Sequence, residues 1–363
     1  LERGLQPRSA DDTMVDLAGN DYLGLSREPA VVEAATAALV RYGLGATGSR
    51  LVRGSTVEHA TLERELADLM GRRAALVYSS GYLANLGVVR ALARPGSVFV
   101  LDAHAHASLV DGCRSSGART VPVAHNDVDA LAAVLADLPS GLAVVVTESV
   151  FSVDGDAAPL ARLHQVCRDH KALLLVDDAH ALGVVGPFGG GAVAAAGLAE
   201  ADDVIVTATL SKSLGCAGGM VAGSDVFIRH LVQTSRTFIY DTALPPAVMC
   251  GAQAALMLMK NDTWRRDLVR QRAAALAEAL QAAGLGVTSP AAGIVSVFAP
   301  SAIAALEWSR ACQRAGIAVG CFRPPTTPDH RSRLRLTINA AIPAADFERA
   351  VKVIIGTAPS PDE

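Results

Sequence analysis

Aromatic residues are scarce, 4% of 363, although 51% of the chain is hydrophobic. Alanine, valine and leucine must therefore fill the core, and at roughly 100–200 residues per domain the length predicts two domains. No Lys/Arg run exceeds two or three residues and the formal net charge is −4. Both argue against a nucleic-acid or anionic-membrane surface and leave small molecules as the expected partners. No apolar run reaches the roughly 18–20 residues that a membrane span needs. The six cysteines (Cys113, Cys167, Cys216, Cys250, Cys312, Cys321) form no C-x-x-C pair and no regular spacing. Neither a zinc site nor a disulfide framework is indicated, and a reducing, cytoplasmic setting is expected. The opening LERGLQPRS lacks the apolar stretch of a signal peptide. With Leu1 where an initiator Met would stand, native residues are expected before it.

What is present is an alternation. From Ala74 onward AALVYS, SVFVLD, LAVVVTESV, ALLLVDDAH and DVIVTATL read as strands, and YLANLGVVRAL, DALAAVLADL and APLARLHQVCRDH carry helical spacing. Strands apolar on both faces with helices between them predict an α/β fold with a mostly parallel sheet covered on both sides. After FIYDTALPP the texture shifts to a long helical stretch and weaker strands, IVSVFA and RLRLTI. Pro245-Pro246 marks the expected boundary. The reading is an N-terminal arm over 1–22, a large domain over 23–240 and a smaller C-terminal α+β domain over 241–363. The last residues, APSPDE, read as frayed.

Several motifs fail on context. GLGATG at Gly43–Gly48 has dinucleotide-loop spacing but follows a helical segment instead of a strand. SKS at Ser211–Ser213 lacks P-loop glycines, Thr209-x-x-Lys212 lacks the serine of an S-x-x-K hydrolase, and neither H-E-x-x-H nor G-x-S-x-G occurs. In DAHAHAS, His104 and His106 stand two apart and can meet on an extended stretch, but no third metal ligand is evident, so no metal is expected.

Stronger signals sit at four strand ends: Tyr78–Gly81, Asp102–His106, Asp177–His180 and Thr209–Lys212. Open α/β sheets place ligands there. Pyridoxal 5′-phosphate needs an amine for its aldehyde, donors for its phosphate and an acid for its ring nitrogen. Lys212 supplies the amine, since a lysine in a desolvated pocket loses part of its preference for charge. Gly81 and Tyr82 offer N–H groups at a helix start, and Asp177 supplies the acid. His180 lies three residues beyond it, and either His104 or His106 can lie flat on an aromatic ring. The bland alternatives are a snorkelling lysine, Ser80 as an ordinary cap, and an acid serving as cap or metal ligand.

These residues resemble the α-oxoamine synthases, pyridoxal-phosphate enzymes of the aspartate-aminotransferase-like fold, fold type I. The motifs that carry the resemblance are NDYLGLS, SSGYLAN, HASLVDG, TESVFSVDGD, DDAHALGVVG, TLSKSLG, RPPTTP and RLRLT, and they span nearly the whole chain. The resemblance implies that Lys212 bonds the cofactor aldehyde, His106 stacks on its ring, Asp177 pairs with the ring nitrogen and His180 with the ring hydroxyl. It places Gly81, Tyr82, Ser152 and Thr209 around the cofactor and Thr242 at a neighbouring subunit's phosphate, which implies a homodimer. Asn20, Thr326, Arg335 and His106 become substrate positions, with Arg335 on the amino-acid carboxylate; the alternative for Arg335 is a surface strand arginine. The implied reaction is decarboxylative condensation of L-alanine with pimeloyl-coenzyme A or a pimeloyl carrier protein, with glycine or serine plus another acyl thioester, or simple transamination, as rivals. Two departures stand out. Ala181-Leu182 follow DDAH where the family often has Gly-Thr or Gly-Leu, and the bulkier group is expected to narrow the pocket. Glu2, with Arg3 beside it, falls where the family has an acyl-contacting arginine, so that role is unassigned.

Overall fold

The computed structural model describes residues 13–360. In chain order the strands are β1 (Val15–Leu17), β2 (Ala74–Tyr78), β3 (Val98–Asp102), β4 (Arg119–Val123), β5 (Ala143–Glu148), β6 (Leu173–Asp177), β7 (Val204–Thr209), β8 (Gly219–Gly223), β9 (Ile294–Phe298), β10 (Ile317–Phe322) and β11 (Arg333–Thr337). Seven of them form the sheet of the large domain in the order β2-β8-β7-β6-β5-β3-β4. All pairings from β4 through β7 are parallel, and β8 runs against both its neighbours. Helices cover both faces, so β5 and β7 are buried along their whole length and start as apolar runs that turn polar toward their carboxyl ends.

Two strands of this sheet escape the sequence reading. β4 carries Pro122, which donates no backbone hydrogen bond and is tolerated because β4 is an edge. β8 is GMVAG, whose end glycines weaken a strand signal.

The smaller sheet has the order β1-β10-β11-β9. β1 pairs in parallel with β10, Val15 opposite Ile317, so a segment read as an arm is stitched into the C-terminal sheet. The helix Pro246–Asn261 packs on the helices Pro29–Tyr42 and Val57–Met70. Pro29 starts the first of these, and Gly43, at φ 80°, ends it with its N–H on the Leu39 carbonyl, 2.9 Å away. GLGATG thus closes a helix, the wrong end for a phosphate loop. No helix among the described residues is long and apolar enough to cross a membrane. Glu2, Arg3 and residues 361–363 of the tail lie outside the described residues.

Candidate active site

The carboxyl ends of β2, β3, β5, β6 and β7 open on one edge of the large sheet, and the small sheet meets them there. Lys212, just beyond β7, points its Nζ at His180 Nε2, 2.8 Å away. His180 Nδ1 lies 2.6 Å from the hydroxyl of Tyr22, which comes from NDYLGLS. Burial lowers the Lys212 pKa to about 8 against the pull of Asp177 and Glu148. Burial, reinforced by Lys212, holds His180 well below the ordinary histidine range. Burial also pushes Tyr22 up to about 12, so it stays a phenol. At neutral pH the direction of the chain follows: Lys212 donates to Nε2, and the ring proton, on Nδ1, goes to Tyr22. A buried amine titrating near 8 is available as nucleophile or base without a large penalty.

Asp177 ends β6, buried. One of its oxygens accepts from Asn85 Nδ2 at 2.6 Å, the other from the Ala179 N–H at 3.0 Å. Its register partner on β5 is Glu148, also buried, whose Oε2 accepts the Ser152 N–H at 3.1 Å. Burial first, then the neighbouring Asp177, raises the Glu148 pKa far above the carboxylate range.

Ser80 caps the helix Gly81–Leu92 by accepting from the Leu83 N–H at 3.1 Å. The Gly81 and Tyr82 N–H groups therefore remain first-turn donors with no partner inside the helix. A methyl on Gly81 would lie 3.2 Å from Thr209 Cβ. β8 begins at Gly219, between Tyr78 and Thr209, and a side chain there would run into the Ser80 and Gly81 backbone. Glycine at 219 lets β8 pack directly against the start of that helix, so the antiparallel strand that the sequence hides helps to position it. Thr209 Oγ1 is 2.7 Å from Ser211 Oγ and donates to the Gly218 carbonyl.

From the small sheet comes Arg335, 4% exposed, which removes the surface-arginine alternative. Its Nε donates to the Ser152 carbonyl at 2.6 Å and its Nη2 to Asn20 Oδ1 at 2.9 Å. Asn20, Ser152, Arg335, Tyr22, His180, Lys212, Asp177 and His106 thus belong to one neighbourhood. Thr242 and Thr326 are exposed: Thr242 bridges Ser49, and Thr326 sits in a turn with its N–H on the Arg323 carbonyl. Ala181 and Leu182 lie in the main hydrophobic core, with the Leu182 carbonyl accepting Ser213 Oγ–H at 2.6 Å.

The meeting of His104 with His106 does not occur. After β3 the Asp102 carboxylate accepts the His104 N–H at 2.8 Å, and this side-chain turn bends the chain so that alternate residues no longer share a face. His104 stacks on His125 instead, ring centroids 4.0 Å apart, while His106 caps the helix Ala107–Ser116. Sequence reasoning passed over Tyr22, Asn85 and Glu148. Tyr22 lay inside a quoted motif, and polar residues amid buried runs are the signal that marks all three.

Residues 12–354 match the family Aminotransferase class I and II. The chain is 52% identical over 354 residues to 8-amino-7-oxononanoate synthase of Mycobacterium leprae (strain Br4923), covering 98% of this chain and 91% of that one. Among solved structures it resembles a variant of serine palmitoyltransferase from S. paucimobilis with a bound PLP–myriocin aldimine, at TM-score 0.91 and 33% identity, covering 95% of this chain and 87% of that chain. It also resembles 8-amino-7-oxononanoate synthase from Francisella tularensis, at TM-score 0.82 and 28% identity, covering 95% and 98%.

Proposed function

We propose that this chain, which belongs to the aminotransferase class I and II family and within it to the 8-amino-7-oxononanoate synthases, condenses L-alanine with a pimeloyl thioester. The products are 8-amino-7-oxononanoate, CO2 and the free thiol, a step of biotin biosynthesis. The observation that carries the reading is the buried Lys212 amine, 2.8 Å from His180 and titrating near 8, in one cluster with Asp177.

The donor set fits pyridoxal 5′-phosphate: a desolvated amine, a buried carboxylate, two N–H groups of a helix's first turn, and Gly219 packed against that helix start. Bound there, the cofactor supplies an aldehyde that links to amines and a ring that withdraws electrons from the amino-acid α-carbon. Lys212 holds the aldehyde, Asp177 the ring nitrogen, His180 the ring hydroxyl, and His106 lies on the ring. Gly81, Tyr82, Ser152 and Thr209 hold the remaining polar groups. With alanine bound, Lys212 Nζ would accept its α-proton. Arg335, already directed by Asn20 and Ser152, binds the alanine carboxylate with its planar fork. Asn20 and Thr326 line the substrate side.

The surface supports a homodimer as part of this reading. Leu44, Leu51, Val52 and Val57 are more than half exposed, as is Tyr240, and the Ser49–Thr242 bridge gathers this patch beside Thr242. An apolar patch of this kind calls for a partner, and a second copy would bring Thr242 toward the partner's phosphate. A cytoplasmic setting completes the reading, in keeping with six cysteines that are all free thiols.

The test is thiol release with alanine, glycine or serine against thioesters of graded chain length. Alanine with the pimeloyl thioester is expected to be fastest, with CO2 and thiol released one for one. Preference for serine or glycine would move the chain to a sister activity, and pyruvate formed from alanine alone would make it an aminotransferase.

A further inference from the structure

One carboxamide, Asn85, ties the site's acid to its flat imidazole. Asn85 is 2% exposed on the helix Gly81–Leu92, one turn after the N–H groups assigned to phosphate. Its Nδ2 donates to Asp177 Oδ2 at 2.6 Å and to Ser108 Oγ at 2.8 Å, while its Oδ1 accepts from Thr207 Oγ1 at 2.6 Å. A carboxylate only accepts, and the Asn85 amide nitrogen only donates. The amide therefore has one permissible orientation.

The direction propagates. Ser108 Oγ, having accepted from Asn85, places its proton toward His106 Nδ1, 2.7 Å away. The Ser108 N–H also points at Nδ1, at 3.2 Å. Two donors converging on Nδ1 require a bare nitrogen there, so the His106 proton is on Nε2. Three elements meet in this chain, the helices Gly81–Leu92 and Ala107–Ser116 and the end of β6, with Thr207 of β7 closing it.

We propose that Asn85 is a positioning residue that holds Asp177 and, through Ser108, His106 and its Nε2–H tautomer in one arrangement. It touches neither cofactor nor substrate in this scheme and acts through the two groups that do. The inference rests on the reading of Asp177 and His106 as cofactor partners.

The experiment compares the wild-type holoenzyme with Asn85→Ala, Asn85→Asp, Ser108→Ala and Asp177→Asn. Pyridoxal-phosphate affinity is read from the visible absorbance of titrated apo-protein, and the His106 tautomer from ¹⁵N imidazole shifts, with His106→Gln used to assign the resonance. Asn85→Ala is expected to weaken cofactor binding about tenfold or more, the change that accompanies loss of one hydrogen bond to a charged group. It should also mix the His106 tautomers. Ser108→Ala should mix the tautomers while leaving affinity within about twofold, because the bond from Asn85 to Asp177 survives. Should Asn85→Ala fail to fold, Asn85→Asp carries the test, since it keeps the shape and places a second carboxylate against Asp177. Wild-type affinity and a single Nε2–H tautomer in a folded Asn85 variant would overturn the proposal. If Asp177→Asn also binds and absorbs as wild type, the reading of Asp177 itself is what has failed.

Discussion

His104 and His106 are separated by one alanine, yet they join clusters of opposite character. His106 stands with His180 beside Lys212, where burial foremost keeps both imidazoles below the ordinary histidine range; the Lys212 cation adds to the effect, and at His106 Asp177 opposes it without prevailing. His104 stacks on His125, which contacts Asp102 at 3.0 Å and Asp156 at 2.9 Å. Burial pulls His125 down too, but those two carboxylates overrule it and raise its pKa to about 10. His104 in turn pairs with Asp154, the partner of the buried Arg333. Burial works in the same direction in both places, and what differs is whether neighbouring carboxylates outweigh it: Asp102 and Asp156 do at His125, whereas Asp177 does not at His106. One cluster holds neutral rings next to a reactive amine. The other is an ionic brace running from the large sheet to β11, two residues from Arg335.

The contrast breaks most visibly at Lys212. Lys212→Ala is expected to lower turnover by about 10²–10⁴-fold or more, the range for a positioned proton-transfer group, and to abolish the borohydride-reducible bond to the cofactor. Mass spectrometry of reduced peptides checks this, and an adduct on Lys171, Lys260 or Lys352 would relocate the site.

Asp177→Asn should keep some cofactor yet lose about 10²-fold or more in the rate of α-proton exchange from alanine, since an amide does not stabilise a positive ring nitrogen. Deuterium exchange followed by NMR measures it. Wild-type exchange would remove Asp177 from the ring.

Arg335→Ala should raise the alanine KM by about 10- to 150-fold, equivalent to about 1.5–3 kcal/mol for a lost hydrogen-bonded charge, with a smaller change in kcat. An unchanged KM would leave Arg335 a brace between Ser152 and Asn20. By the same logic its neighbour Arg333, salt-bridged to Asp154 and Asp329, should affect stability before affinity.

His125→Asn probes the opposite cluster and should be the mildest in activity. It is expected to cost about 1–3 kcal/mol of stability by leaving buried polar partners unsatisfied, with cofactor affinity unchanged. The sign with pH is definite. A folded pKa of about 10, above the ordinary 6.5, means that the His125 contribution is full below about pH 6.5 and fades as pH rises toward 10. Thermal unfolding of wild type and variant should therefore converge toward pH 10; a gap that widens with pH would contradict the charged clamp.

Much of this protein can be read from the sequence because its strands are buried on both faces. β2, β3, β5, β6 and β7 announce themselves as short apolar runs, and each gives way to a polar residue at its carboxyl end: Ser79, Asp102, Glu148, Asp177, Thr209. Lys212, Asp177, His180 and Gly81 were legible for that reason. Local chemistry also told GLGATG from a phosphate loop, because a helix precedes it.

Tertiary structure alone decided what long-range packing brings together. Arg335 reaches Asn20 across 315 positions and Ser152 across 183, contacts that no local pattern encodes. β8 is silent in the sequence yet lays Gly219 against Ser80 and Gly81. The partition of His104 from His106 depends on the Asp102 turn, on His125 from the loop after β4 and on Asp154 and Asp156 from the loop after β5. A side chain's type and its place along a strand are local properties, whereas its charge and its partner are properties of the field that the folded chain assembles around it.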